Sequence, residues 1–172
     1  MTVLVAVASR HGGTLGIAEA VAAGLCDAGL SAHLVRLTDS DTDPDPGGYE
    51  AVVLGSAVYG AHWLVEAVRW ADDHAAALRA RPVWLFSSGP VTDGPLPAER
   101  DAVLVEGMVA EFGARGHRLF AGRLERASLS PQELAVVTAF RVADVDARDL
   151  DAARVWGRQI AATLVRRPAP AG

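Results

Sequence analysis

The first apolar run of the chain, Thr2 to Ala8, is continuous rather than alternating, and a continuous β-branched and aliphatic run marks a strand covered on both faces of a parallel sheet. From Thr14 to Ala28 the spacing turns helical. Ala18, Val21, Ala22 and Leu25 share one face there, and Gly29 stands where a helix end favours left-handed backbone. The same switch of period repeats along the chain. Further strands are expected at Ala32 to Leu37, Ala51 to Gly55, Val83 to Phe86 and Arg118 to Gly122. Helices are expected at His62 to Leu78, Ala98 to Ala114, Pro131 to Phe140 and Leu150 to Val165, with Ser130 and Pro131 in cap and first-turn positions of the third. The stretch from Thr38 to Gly48, rich in Asp, Thr, Pro and Gly, reads as a solvated connection. Arg123 to Asp149 carries the least pattern. Pro168 and Pro170 stop the last helix, so a single domain over 1–166 and a frayed tail over 167–172 are expected.

Strands separated by helices in this way predict a doubly wound α/β fold, a three-layer sandwich around a five-stranded parallel sheet, because right-handed crossovers place helices on both faces. Ligands of such sheets sit beyond the carboxyl ends of the strands, where strand order reverses. That directs attention to the loops after the first, third and fourth strands.

Composition narrows the classes. With 172 residues, 51% of them hydrophobic, the chain has enough apolar material for one sizeable core, which excludes disorder. Cys26 is the single cysteine, so no intramolecular disulfide forms, no cysteine-built zinc site is available, and a reducing cytoplasm is the expected location. The apolar N-terminus has no basic leader and runs into Ser9-Arg10-His11, which fits a buried strand better than a signal peptide. Every apolar run is cut well short of the roughly 20 residues a bilayer needs, so no transmembrane segment is expected. A net charge of −5 argues against a duplex nucleic-acid partner.

The loop Ser9-Arg10-His11-Gly12-Gly13-Thr14, leading straight into a helix, has the chemistry of an anion site. Two glycines let the backbone approach closely, amide hydrogens turn inward, the helix N-terminus adds partial positive charge, and the hydroxyls of Ser9 and Thr14 can donate. The loop lacks the Gly-x-Gly-x-x-Gly of dinucleotide sites and the Gly-Lys-Ser/Thr ending of nucleotide triphosphatases, so a monophosphate is favoured. The alternative is a plain tight turn. After the third strand, Ser56-Ala57-Val58-Tyr59-Gly60-Ala61-His62-Trp63 is uncharged apart from its histidine, and its backbone edges and aromatic rings suit a flat aromatic ligand. Trp63 serves equally as a core residue, and Trp70 and Trp84 are expected in the core. After the fourth strand, Ser87-Ser88-Gly89-Pro90 offers hydroxyls, amides and flexible backbone at the far side of the same crevice.

These residues resemble the flavodoxin-type fold. Ser9-Arg10-x-Gly12-x-Thr14 after a buried strand is similar to the phosphate loop of flavodoxins, and the Arg at its second position resembles the menaquinone-dependent protoporphyrinogen dehydrogenases. Val53-Leu54-Gly55-Ser56-Ala57-Val58, Asp73-His74-Ala75, Phe120-Ala121-Gly122-Arg123-Leu124 and Trp156-Gly157-Arg158-Gln159-Ile160-Ala161 are similar to that family in order and spacing. The resemblance implies strand order 2-1-3-4-5 and the cofactor FMN, with phosphate contacts from Ser9, Arg10, His11, Gly12, Gly13 and Thr14. It also implies a ring system between Ser56, Ala57, Val58, Tyr59, Gly60 and Trp63 on one side and Ser87, Ser88, Gly89 and Pro90 on the other. The segment Glu125 to Asp149 is mixed in charge where the dehydrogenases carry a basic insertion.

The function expected is an FMN-dependent oxidoreductase, similar to protoporphyrinogen dehydrogenase, that passes electrons from a small-molecule substrate to a quinone or other acceptor. The alternatives are a non-catalytic electron carrier with a redox partner protein and a scaffold that has lost the flavin, with His11 as the residue to watch. His62, expected at a helix start beside the ring, is the candidate for proton delivery.

Overall fold

The computed structural model describes residues 1–39, 42–89 and 105–166. Its strands are β1 (Thr2–Ala8), β2 (Ser31–Arg36), β3 (Ala51–Tyr59), β4 (His62–Trp63), β5 (Val83–Ser88) and β6 (His117–Phe120). Five of them run parallel in the order β2-β1-β3-β5-β6, and β4 folds back antiparallel onto β3. Counting the parallel strands alone, this is the expected order 2-1-3-4-5. Val5 pairs with Leu34 on one side and with Val53 on the other, so β1 is central where the order reverses.

Both faces of β1 are dry. Val3, Val5 and Val7 pack beneath α1 (Gly13–Asp27), while Leu4 and Ala6 face the other layer of α2 (Val65–Asp73), α3 (Ala75–Arg79) and α4 (Glu106–Phe112). All five are fully buried, which is why the apolar run is continuous. Trp70 and Trp84 are core residues. The chain closes with β7 (Arg123–Leu124), α5 (Pro131–Ala139), β8 (Val145–Asp146) and α6 (Leu150–Val165); β7 and β8 pair antiparallel, and α6 lies on α1.

Four differences from the expected elements stand out. The helix predicted from His62 begins instead at Val65, because β3 continues to Tyr59 and turns through Gly60 and Ala61, both with positive φ (56° and 66°), into β4. Two positive φ values in a two-residue turn match the twist of a hairpin. Trp63 is drawn onto the sheet by its indole N–H, which donates to Ser87 Oγ at 2.7 Å, and Leu64 N donates to Ser56 Oγ at 2.9 Å. The same predicted helix is also interrupted at His74 (φ −107°), whose ring lies 5.1 Å from that of Trp70 and whose Nε2 meets Asp43 Oδ1 at 2.7 Å. Between β6 and α6, the β7–β8 pair replaces what the sequence left without pattern. The helix expected over Ala98 to Ala114 appears as Glu106–Phe112; its earlier part, Pro90 and the tail 167–172 lie outside the described residues.

Helices α1 and α6 touch backbone to backbone. A Cβ on Gly24 would stand 2.0 Å from the carbonyl oxygen of Arg154, and one on Gly157 would stand 2.2 Å from that of Val21. Beside this contact Asp27 accepts from Arg154 Nε and Nη2 at 2.7 Å each and from Arg158 Nη1 at 2.9 Å. The Arg154 guanidinium, then Arg158, holds the Asp27 carboxyl down to about 2.

Replacing Gly24→Ala forces the two helices apart. Overpacking of this kind costs about 3 kcal/mol, and the better helix propensity of Ala returns about 1 kcal/mol. The net loss of about 2 kcal/mol corresponds to a melting point lower by ~4–8 °C at this chain length. Gly107→Ala, where a Cβ meets nothing within 4 Å, is the control and should raise stability; equal effects at the two sites would remove the packing argument. The Asp27 cluster predicts an acid limb. Its folded pKa lies below the ordinary 3.8, so its contribution is fully present above that value and fades as pH falls through about 2. Thermal melts of Asp27→Asn between pH 6 and pH 2 should show a smaller acid-dependent loss than the parent; parallel curves would refute the assignment.

Candidate functional site

The loop from Ser9 to Thr14 leaves the carboxyl end of β1 and enters α1 through Gly12, an N-cap residue with no side chain to cap the helix. Gly12 takes the N-cap position in left-handed backbone (φ 74°), a conformation that strains any other residue except Asn or Asp. Ser9 is buried, and its Oγ accepts from Leu15 N at 3.2 Å, which leaves the hydroxyl proton free to donate. Thr14 is buried as well, at the first turn. The uncapped amides of α1 give this end its partial positive charge.

A cavity of about 340 Å³ opens over this loop. Ser9, Arg10, His11, Gly13 and Thr14 form its floor; Ala57, Val58 and Tyr59 from β3, with Ser88 at the end of β5 and Gly89 just after it, form one side. These ten residues, expected from the sequence at one crevice, stand together around it. Gly89 (φ 126°) takes a backbone conformation that other residues rarely adopt, where the chain leaves β5 beside Val58. Gly12 shapes the floor through its backbone without lining the cavity.

Other expected residues are placed elsewhere. Ser56 is fully buried and holds the hairpin, donating to the Ala57 carbonyl at 2.8 Å and accepting from Leu64 N. Ser87 accepts from Trp63, and its Oγ lies 2.8 Å from His117 Nε2. Trp63 thereby belongs to the core, with 7% of its surface exposed, and Gly60 makes the turn. His62 is exposed on β4 rather than at a helix start, and it does not line the cavity.

The opposite wall had no counterpart among the expected site residues. It comes from the segment between β6 and α6: Arg123, Leu124 and Glu125, then Leu129, Glu133, Val136 and Val137 on and around α5. Glu133 closes a capping box with Ser130, whose hydroxyl donates to it at 2.7 Å and accepts from its backbone N–H. The same carboxylate reaches His11 Nε2 at 2.9 Å, so the wall is latched to the floor. The Ser130 hydroxyl and amide, followed by His11, hold Glu133 down to about 2. The Ser-x-x-Glu spacing before an apolar run is the signal by which this wall could have been found.

Charge at the site is mostly paired. Arg123 meets Glu125 at 3.0 Å, Arg10 lies 3.9 Å from Glu66 with its guanidinium 5.9 Å from the Tyr59 ring centre, and Arg148 meets Asp146 at 2.6 Å beside α1. The Tyr59 phenol is pushed up, first by burial and then by the Glu133 charge, with Arg10 opposing. The arrangement can seat an anion on amides and hydroxyls and a flat ring between the ends of β3 and β5.

Among the described residues no helix is long and apolar enough to cross a membrane. No curated protein matches the chain. Solved structures similar in fold include a flavodoxin from the domain Archaea, with 17% identity, 96% of this chain and 100% of that one covered, and a TM-score of 0.64. The two-electron reduced flavodoxin of Megasphaera elsdenii is 17% identical over 93% of this chain and 98% of its own, with a TM-score of 0.59. A flavodiiron core from Synechocystis is 15% identical over 96% of this chain, which spans 36% of it, with a TM-score of 0.62. Residues 4–148, which include every wall of the cavity, match the model described as the flavodoxin domain, and the chain therefore belongs to the flavodoxin domain family.

Proposed function

We propose that this chain is an FMN-binding redox protein that seats the cofactor phosphate on residues 9–14 and its ring between the ends of β3 and β5. The observation that carries this reading is the α1 N-terminus, which lies at the cavity and is built on a left-handed Gly12 that has no side chain to cap it, Ser9 Oγ taking the amide of Leu15 alone. An anion is the natural partner of such an end. FMN is the cofactor that the flavodoxin family indicates. The residues present fit it: free hydroxyl protons and amides at the floor for the phosphate, and Ala57, Val58 and Gly89 backbone at the side for a ring edge. When bound, FMN supplies one- or two-electron transfer, and the protein contributes orientation and electrostatics.

The reaction we favour is oxidation of a small substrate, of the protoporphyrinogen type, with a quinone or another acceptor taking the electrons. Leu124, Leu129, Val136 and Val137 support it, because they give the cavity a partly exposed apolar side on which the hydrophobic face of such a substrate could lie. Tyr59 and Arg10 bound the cavity, and the paired charges of Arg123 and Glu125 keep its rim polar. His62 is our candidate proton donor only for a substrate that extends beyond the cavity to β4. A second reading, an electron carrier, is favoured by exposed Phe140 and Tyr59, 78% and 47% exposed, which suit a transient protein contact.

The purified protein, given excess FMN and desalted, should keep flavin absorption at roughly one FMN per chain. The double variant Gly12→Asp, Thr14→Ala should retain at least tenfold less while its circular dichroism is unchanged, because an N-cap carboxylate then competes for the α1 amides that would hold the phosphate, and a donor is gone. A protein that stays colourless rejects the redox reading. Turnover of protoporphyrinogen with a soluble quinone and no added protein supports the enzyme; turnover only with a partner protein supports the carrier.

A further inference from the structure

The carbonyl oxygen of Ser9 is gripped from outside the cavity. Arg36, the last residue of β2, donates to it through Nη2 at 2.8 Å and Nε at 3.1 Å, and the Thr38 hydroxyl donates to it at 3.0 Å. The two donors are tied to each other, since Arg36 Nε also donates to Thr38 Oγ1 at 2.9 Å. Arg36 Nη2 reaches the next carbonyl, that of Arg10, at 3.4 Å, a longer and weaker tie. Neither Arg36 nor Thr38 lines the cavity, whereas Ser9, Arg10 and His11 do. Arg36 lies 3.4 Å from Asp39, so its charge is shared with a carboxylate before any ligand arrives.

We propose that Arg36, assisted by Thr38, is a positioning residue for the phosphate loop, and this rests on the FMN reading above. A peptide unit is planar and trans, so a carbonyl held away from the cavity turns the N–H of the same unit toward it. Fixing the Ser9 carbonyl aims the Arg10 amide, and the weaker tie to the Arg10 carbonyl aims that of His11. The loop needs such an outside grip because Gly12 and Gly13 leave it free to reorient, and disorder left in the empty loop is subtracted from ligand affinity. Arg36 acts through the backbone, not through contact with the ligand.

The test compares FMN with riboflavin, which carries the same ring and no phosphate, by fluorescence titration of the full chain. Arg36→Ala should weaken FMN about tenfold or more and riboflavin less than twofold, as expected when one or two backbone residues must be ordered at binding. Thr38→Val should act in the same direction by several-fold, and Arg36→Lys should recover part of the loss. Amide hydrogen exchange without flavin gives a second readout: Arg10 and His11 should exchange faster in Arg36→Ala while Val5 and Val7 in β1 stay protected. Equal weakening of FMN and riboflavin, or loss of protection in β1, would mean general loosening and overturn the proposal. Full recovery in Arg36→Lys with a neutral Thr38→Val would assign the effect to charge and overturn it too. If the parent chain binds neither flavin, the FMN reading fails, and the exchange data alone decide whether Arg36 orders the loop.

Discussion

The constraint on which the rest depends is that β1 has no wet face. From Val3 to Ala8 its side chains are buried in two different layers, and its backbone is paired with β2 on one side and β3 on the other, so water is kept from it beyond its first residue. A strand so enclosed has one place to meet a ligand, the end where its chain leaves the sheet. The order reverses at β1, and the crevice between departing loops opens there. The same enclosure demands close cover: Gly24 and Gly157 let α1 and α6 approach until backbone touches backbone, and the Asp27 cluster fastens the rim.

Charge and geometry divide the work at the candidate site. The arginines nearest the loop are each matched to a carboxylate: Arg36 to Asp39, Arg123 to Glu125, Arg148 to Asp146. Exposed pairs of this sort contribute little energy and leave little net charge. In the proposed reading the attraction for an anion would come chiefly from amides and hydroxyls at short range, which reward correct orientation more than charge. Glu133 is the exception that needs its neighbours. Held ionised by the Ser130 cap and by His11, it fastens an otherwise unburied helix across the cavity without facing the loop as a free carboxylate.

Much of this was legible from the residues. The apolar run of β1, the helical spacing of α1 and the full extent of α6 follow from local rules that burial reinforces. The turn of the Ser9 to Thr14 loop from strand into helix was legible because its paired glycines follow the apolar run and precede the helical spacing. Trp63 was ambiguous for a physical reason: an indole packs as well on a flat ligand as in a core, and only the Ser87 hydroxyl within reach of its N–H separated the two. The hairpin through Gly60 and Ala61 was hidden because the helical spacing of the residues after it runs back through His62.

By itself, the sequence determined the alternation of strand and helix and the parallel sheet, since these depend on period, burial and residue type over short spans. Tertiary structure alone decided that the helix begun by Ser130 and Glu133 lies across the cavity, and the grip on the loop. His11 meets Glu133 across 122 positions, and Arg36 meets Ser9 across 27. Contacts between residues so distant leave no periodic trace along the chain, because each partner is compatible with many local structures and is selected only when the sheet has brought the two ends together.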